Sequence, residues 1–370
     1  MTYSLTCTGD LIMAAGFIGP ETPRKAVYGL MAAADHCFLN LEMPLTLSNQ
    51  DTDKTICLKA PPSLAGDLRG LGVNVVNLAN NHAMDYGIAG LADTLAALDA
   101  AGLDHVGAGM TLADSVRPLV KTAKGKRVAF IGFTTTLPNG SGAGRRRPGV
   151  APIRVLTRYL IDPVALQETP GMSPFAETFV FAEDKEAALG IVRAAAAEND
   201  VVIVGIHWGV PLGWVAASQD ELADYQRPLG RELIEAGASA VIGHHPHYLQ
   251  GVEFHEGRPI FYSLGNFTVH NVIPDGPGEH RSYPPYSFET LQSTLTRIGA
   301  IARLKWEEPG APSVCELVPI YLNADGEGEL ADADIAEQAR IQIEHSSRKL
   351  NSAAVLRFDG EVPVIGLVQR

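Results

Sequence analysis

Three histidines fall within four positions, His244, His245 and His247, directly after the apolar run Ala240-Val241-Ile242-Gly243. A buried strand that stops at a glycine and then presents imidazoles offers neutral nitrogen ligands to a transition metal, and Pro246 stiffens the turn that carries them. Taken alone the tripeptide is a compositional hint, equally compatible with a polar surface turn. Its company decides. Further apolar runs end in Gly9-Asp10, in Asn40-Leu41-Glu42, in Asn80-Asn81-His82 and in His207-Trp208-Gly209. Ligand sites of open α/β sheets lie outside the carboxyl ends of the strands, so five runs finishing in Asp, Glu, Asn or His predict one shared pocket. Its ligands are oxygen and nitrogen without cysteine, which suits Mn, Fe, Zn or Mg better than a thiolate site. Carboxylates would supply charge to hold two dications, with neutral His and Asn completing the shells.

The elements that must position these residues alternate. Helices are expected over 23–34, 61–71 and 88–101, the second with proline in its first turn and the third stopped by Gly102. Strands near Val106 and Leu119 and over 128–133 are expected to extend the sheet, the last reading as buried on both faces. Residues 138–182 break the alternation. Gly140 to Gly149 is glycine-rich and basic, and the segment reads as an insertion or long loop. Arg145 and Arg146 there could hold an anionic group of a substrate, since guanidinium matches carboxylate or phosphate bidentately; a solvated loop explains them as well. Alternation resumes with helices over 186–198 and 219–236 and strands over 201–206 and 240–242. A hairpin is expected over 252–254 and 259–263 through Glu256-Gly257. Strands over 301–306 and 315–322 and a helix over 334–350 complete the chain. The class is mixed α/β, with a main domain over 1–322 and a helical and strand extension over 323–370 packed on it.

The chain has 370 residues, 46% of them hydrophobic, enough for a large core. Its formal net charge of −13 argues against general nucleic-acid binding. Met1-Thr2-Tyr3 leads into the first strand without a signal-peptide pattern, and no run reaches membrane-spanning length. Cys7, Cys37, Cys57 and Cys315 are dispersed rather than framed as disulfides. The expectation is a cytoplasmic protein without membrane attachment. His36, His105, His255, His270, His280 and His345 lie outside the strand-end set and read as packing or surface residues, and Trp208 reads as wall or core.

The ordered motifs Gly9-Asp10, Asn40-Leu41-Glu42, Asn80-Asn81-His82 with Asp85 and Gly87, His207-Trp208-Gly209, Gly243-His244-His245-Pro246-His247 and Tyr262-Ser263-Leu264-Gly265-Asn266-Phe267 resemble the bacterial CapA family. That family is linked to poly-gamma-glutamate capsule synthesis and belongs to the calcineurin-like metallophosphatase superfamily. The resemblance spans Leu5 to Phe267. It implies a four-layer α/β/β/α sandwich with mixed sheets and one or two divalent transition metal ions, Mn, Fe or Zn. Asp10, Glu42 and His247 would bind one metal; Glu42, Asn81, His207 and His245 would bind the second, with Glu42 bridging. His82 would protonate the leaving group, with Asp85 fixing its tautomer, and His244 and Asn266 would line the substrate site. The chain departs from the wider superfamily at Leu11-Ile12, where Asp-x-His is usual, and at Ala83, where many phosphatases carry an acid. It departs from many CapA-like chains at Pro211, where they carry a glutamate. The implied activity is a metal-dependent hydrolase whose metal-bound hydroxide attacks a phosphoester or an amide, γ-glutamyl amides included, in a small or oligomeric anionic substrate. The alternative is a non-catalytic binding or assembly component for poly-gamma-glutamate synthesis.

Overall fold

The computed structural model describes residues 1–13, 25–54, 56–172, 174–209, 221–270 and 297–370. Two sheets dominate it. The first runs in the spatial order Ser352–Asp359, Val362–Gln369, Val314–Leu322, Ile298–Trp306, Tyr3–Ile12, His36–Leu41, Val75–Asn77 and Asp104–Val106. Asn266–Val269 also pairs with Tyr3–Ile12, and Gly328–Leu330 with Val314–Leu322. The second runs Val252–His255, Arg258–Phe261, Ala240–His244, Val201–His207, Lys126–Thr134 and Leu119–Ala123. Both are mixed. Parallel pairs such as Val201–His207 with Ala240–His244 and His36–Leu41 with Val75–Asn77 are linked by helical crossovers, whereas Tyr3–Ile12 and Ile298–Trp306, far apart in the chain, pair antiparallel.

Period-two alternation separates three apolar layers. Leu5, Cys7, Phe38 and Val75 of the first sheet meet Val128, Phe130, Ile203 and Ile242 of the second in a core between the sheets. The intervening residues face outward. Cys37, Leu39 and Val76 pack against the helices Lys25–Ala32, Leu64–Gly70 and Gly87–Ala101, which contribute Val27, Leu68, Leu91 and Leu98. Ala129, Val202, Val204 and Val241 pack against Ala182–Glu198 and Gln226–Glu235 through Val192, Leu229 and Leu233. The result is helices, sheet, sheet, helices, the four-layer arrangement that the resemblance implied. Central strands of the second sheet such as Val201–His207 and Ala240–His244 are buried on both sides and read as nearly continuous apolar runs, whereas Tyr3–Ile12 of the first buries Thr6, Thr8 and Asp10 as well.

Several expectations change in detail. The strands near 119 and over 128–133 do not extend the first sheet; Asp104–Val106 ends it, and Leu119–Ala123 and Lys126–Thr134 form an antiparallel pair of the second, joined through Lys124 and Gly125 at φ 52° and 74°. The helix expected over 219–236 begins at Gln226, since Pro228 is tolerated only in a first turn. The expected hairpin closes through Glu256 and Gly257, both at positive φ as a type I′ turn requires. The loop-like segment after 138 contains its own antiparallel pair, Val155–Leu160 with Phe175–Val180, and the short helix Pro163–Glu168 capped by Asp162. Two closing strands, Ser352–Asp359 and Val362–Gln369, follow the helix Ala333–Ser347, and the second pairs Gly366 with Glu316 of the main sheet. Residues 23, 24, 219 and 220 of the expected helices, Pro211 and His280 lie outside the described residues. Among the described residues no helix is long and apolar enough to cross a membrane.

Candidate metal centre

The parallel strands of both sheets point their carboxyl ends toward one place, and the polar residues gather there. Asp10 comes from Tyr3–Ile12, whose pairing shifts register beside Asp10 on both flanks. Such a bulge re-aims a side chain, and Gly9 permits it: a Cβ there would lie 2.0 Å from the Gly265 carbonyl oxygen. Glu42 follows His36–Leu41, Asn81 and His82 follow Val75–Asn77, His207 ends Val201–His207, and His245 and His247 follow Ala240–His244. The two sheets are tied at this end by His244, whose Nε2 lies 3.0 Å from the Thr8 carbonyl oxygen.

The geometry centres on Glu42. Its side chain is fully buried, and among the described residues neither carboxyl oxygen has a hydrogen-bond partner. Burying such a group without a partner costs several kcal/mol. Around it stand electron-pair donors. His207 Nε2 is 3.2 Å from Glu42 Oε1, 2.7 Å from Asn81 Oδ1 and 3.1 Å from His245 Nδ1. His247 Nε2 is 3.7 Å from the same Oε1, while its Nδ1 is 3.6 Å from Asp10 Oδ2. Two sets of ligand atoms lie within 4.8 Å of one another, Glu42 with His207 and His245, and Asp10 with Glu42 and His247. Glu42 belongs to both. Burial drives the pKa of His207 well below the ordinary value, and burial followed by His207 does the same for His245. Both rings are therefore held neutral with lone pairs available, as metal ligation requires. His247 is opposite in sign. Burial disfavours its charge, but Glu42, Asp10 and the Asn266 hydrogen bond outweigh that and raise its pKa.

The candidate ligands are held in turn. Asn77 Nδ2 donates to Asn40 Oδ1 at 3.0 Å, and Asn40 Nδ2 donates to Asp10 Oδ1 at 2.8 Å. The His245 amide donates to Asp10 Oδ2 at 3.0 Å. His245 and His247 sit at φ 103° and 52°, a region that non-glycine residues rarely occupy and that costs on the order of 1–3 kcal/mol each. Asn266 Oδ1 lies 2.8 Å from His247 Nδ1, so Asn266 touches a candidate ligand. The seat of the histidine strands is Trp208, stacked on Tyr262 at 5.6 Å and donating to its carbonyl oxygen. A Cβ at Gly243 would lie 2.2 Å from that same oxygen.

Beside the ligands, His82 Nδ1 is 2.6 Å from Asp85 Oδ2. Asp85 also accepts from the Leu58 amide at 2.8 Å and forms an ion pair with Lys54. Lys54 Nζ donates to the Asn81 carbonyl oxygen at 2.7 Å and lies 3.2 Å from His82 Nδ1. An ammonium has no acceptor and Asp85 no spare donor, so the Nδ1 proton belongs to the bond with Asp85 and Nε2 is left as the exchangeable site. Arg145 and Arg146 lie exposed in a turn closed by Gly144 and Arg147, and the structure brings neither into hydrogen-bond contact with the cluster among the described residues. Sequence reasoning gave no role to Asn40, Asn77, Asn80 or Lys54. Asn40 and Asn77 had a signal, as amides ending strands that also deliver ligands; Lys54, in a loop, had none.

Residues 4–271 match the bacterial capsule synthesis protein PGA_cap family. The chain belongs to this family. Among its PGA_cap relatives, "PGA biosynthesis protein CapA" of Bacillus subtilis is 31% identical over 275 residues, 72% of this chain and 63% of that one. "Capsule biosynthesis protein CapA" of Bacillus anthracis is 30% identical over 72% of this chain and 59% of that one. The chain thus spans about three fifths of the length of these two relatives. A "probable polyglutamine synthesis accessory protein" of Mycobacterium tuberculosis is 32% identical over 90% of this chain and 78% of that one. Every residue of the centre described above falls within the PGA_cap match.

Proposed function

We propose that this PGA_cap protein is a metal-dependent hydrolase that cleaves a phosphoester or an amide in an anionic substrate, γ-glutamyl amides included. The observation that carries the reading is Glu42, a buried carboxylate that has no hydrogen-bond partner among the described residues and lies between two candidate ligand sets. The donor set fits divalent cations: Asp10, Glu42 and His247 would hold one, and Glu42, Asn81, His207 and His245 the other, of Mn, Fe or Zn. Cations bound there would supply Lewis-acid polarisation and lower the pKa of water. The protein's own residues do the rest. Asn40 and the His245 amide orient Asp10, and Asn266 orients His247. His82, with Nδ1 committed to Asp85, carries a proton at Nε2 to the departing oxygen or nitrogen. The ion pair with Lys54 holds Asp85 in place for that task.

The test is a screen of purified protein against phosphoesters and γ-glutamyl amides with metal content measured in parallel. Metal-dependent turnover of either class supports the reading, and metal binding without turnover of any substrate counts against it. A second reading has its own support, since relatives carry names of capsule biosynthesis and synthesis accessory proteins. In it the centre binds polymer without cleaving it. His82→Gln then alters at most affinity.

A further inference from the structure

The hairpin Val155–Leu160 with Phe175–Val180 presents an apolar face that none of the described residues covers. Its cross-strand pairs are Leu156 with Phe179, Arg158 with Glu177, and Leu160 with Phe175, all on one face. The opposite face packs on the body of the molecule at one end, where Val155 and Val180 meet the outer core and Asp224 accepts from the amide of the buried Thr178, while Tyr159 at its other end is exposed. On the outward face Leu156 is 53% exposed, Leu160 37%, Phe175 56% and Phe179 44%. Between them lies the Arg158–Glu177 ion pair, with the guanidinium 5.2 Å from the Phe179 ring centroid.

We infer that this face is the interface with a second copy of the chain. The charge pattern selects that occupant. A two-fold axis parallel to the strands, between two such faces, preserves position along the strands and exchanges the two strands. It therefore sets Leu156 over the partner's Phe179, Leu160 over the partner's Phe175, and Arg158 over the partner's Glu177. Apolar meets apolar and each charge meets its opposite, which is the self-complementarity an isologous interface needs. The area agrees. At roughly 200 Å² per large side chain the four apolar residues expose on the order of 400 Å² per copy, about the largest patch a typical monomer shows. Two copies with their charged centres approach the ~1,000 Å² lower bound of a specific interface. Such an interface makes a dimer of micromolar rather than nanomolar strength.

The test is sedimentation velocity on the full chain from about 0.1 to 100 µM. Wild type should shift from monomer to dimer across that range, and Phe175→Glu should weaken association by at least ten-fold with an unchanged melting temperature. Arg158→Glu and Glu177→Arg should each be monomeric alone, since like charges then face each other. Their equimolar mixture should dimerise, because an all-acidic face meets an all-basic one. That recovery separates the interface from misfolding. Wild type that stays monomeric at 100 µM overturns the inference, and so does a dimer indifferent to Phe175→Glu or to the charge changes.

Discussion

At the scale of single residues, Asp10, His207 and His247 around Glu42 are each held by a neighbour, and those neighbours were less legible than the candidate ligands. Asp10, Glu42, Asn81, His207, His245 and His247 could be picked out because each ends or follows an apolar run. Asn40 and Asn77 end such runs too, yet only the structure shows an amide relay onto Asp10. Lys54 could not be found, since a loop lysine next to Asp85 in space leaves no trace in spacing. Asn40→Ala should weaken metal affinity roughly 10–100-fold, the usual worth of a partner that orients a ligand, as a competitive chelator titration would show. His82→Gln should leave metal content intact and lower turnover by about two to four orders of magnitude, since it removes a positioned acid and not a ligand. Asn81→Ala should instead lose metal. Elemental analysis beside steady-state rates separates the two, and full activity in His82→Gln would move leaving-group protonation elsewhere.

At the scale of elements, the strand ends hold their geometry through a buried polar post. Tyr262 stacks on Trp208, and its hydroxyl donates to Glu253 Oε2 at 2.7 Å. Arg227 and Arg231 of the helix Gln226–Glu235 bind the same carboxylate. Burial works to raise the Glu253 carboxyl, but the hydrogen bonds from Arg227, Arg231 and Tyr262 prevail and hold it below its ordinary value of 4.5. A depressed folded-state pKa gives stability that is present above the unfolded value and lost as pH falls through the folded one. Denaturant unfolding of Glu253→Gln should therefore depend less on pH below about 4.5 than that of wild type. Tyr262→Phe should cost about 1–3 kcal/mol at neutral pH, because it leaves a buried carboxylate short of a donor. Neither the Tyr262–Glu253 pair nor its arginines could be read in advance, for they join a hairpin to a helix through side chains alone. The hairpin itself was legible, because Glu256-Gly257 leaves few alternatives to a tight turn.

At the scale of the whole molecule, two sheets back to back bring the candidate ligands from both halves of the chain to one rim. The alternation of apolar runs and helices made the class readable, and the order of the motifs made the four layers an expectation. Which strand joined which sheet was not readable, because a continuously apolar run such as 128–133 carries no preference for either side of a buried layer. Strand was expected in the extension over 323–370, but Ser352–Asp359 and Val362–Gln369 were not placed individually, their pattern being broken by Arg357, Asp359 and the turn at Gly360-Glu361.

The central claim is that Glu42 is built to hold divalent cations, and melting of chelator-stripped protein during a Mn or Zn titration tests it most directly. Saturating ligand at a hundred times its dissociation constant stabilises a folded protein by about 2.7 kcal/mol, so wild type should melt several degrees higher with metal. Glu42→Gln should not respond. Without metal it should melt above metal-free wild type, because an amide replaces a buried carboxylate that has no hydrogen-bond partner among the described residues. Wild type unmoved by any divalent cation, with metal-free Glu42→Gln no more stable than it, would contradict the account.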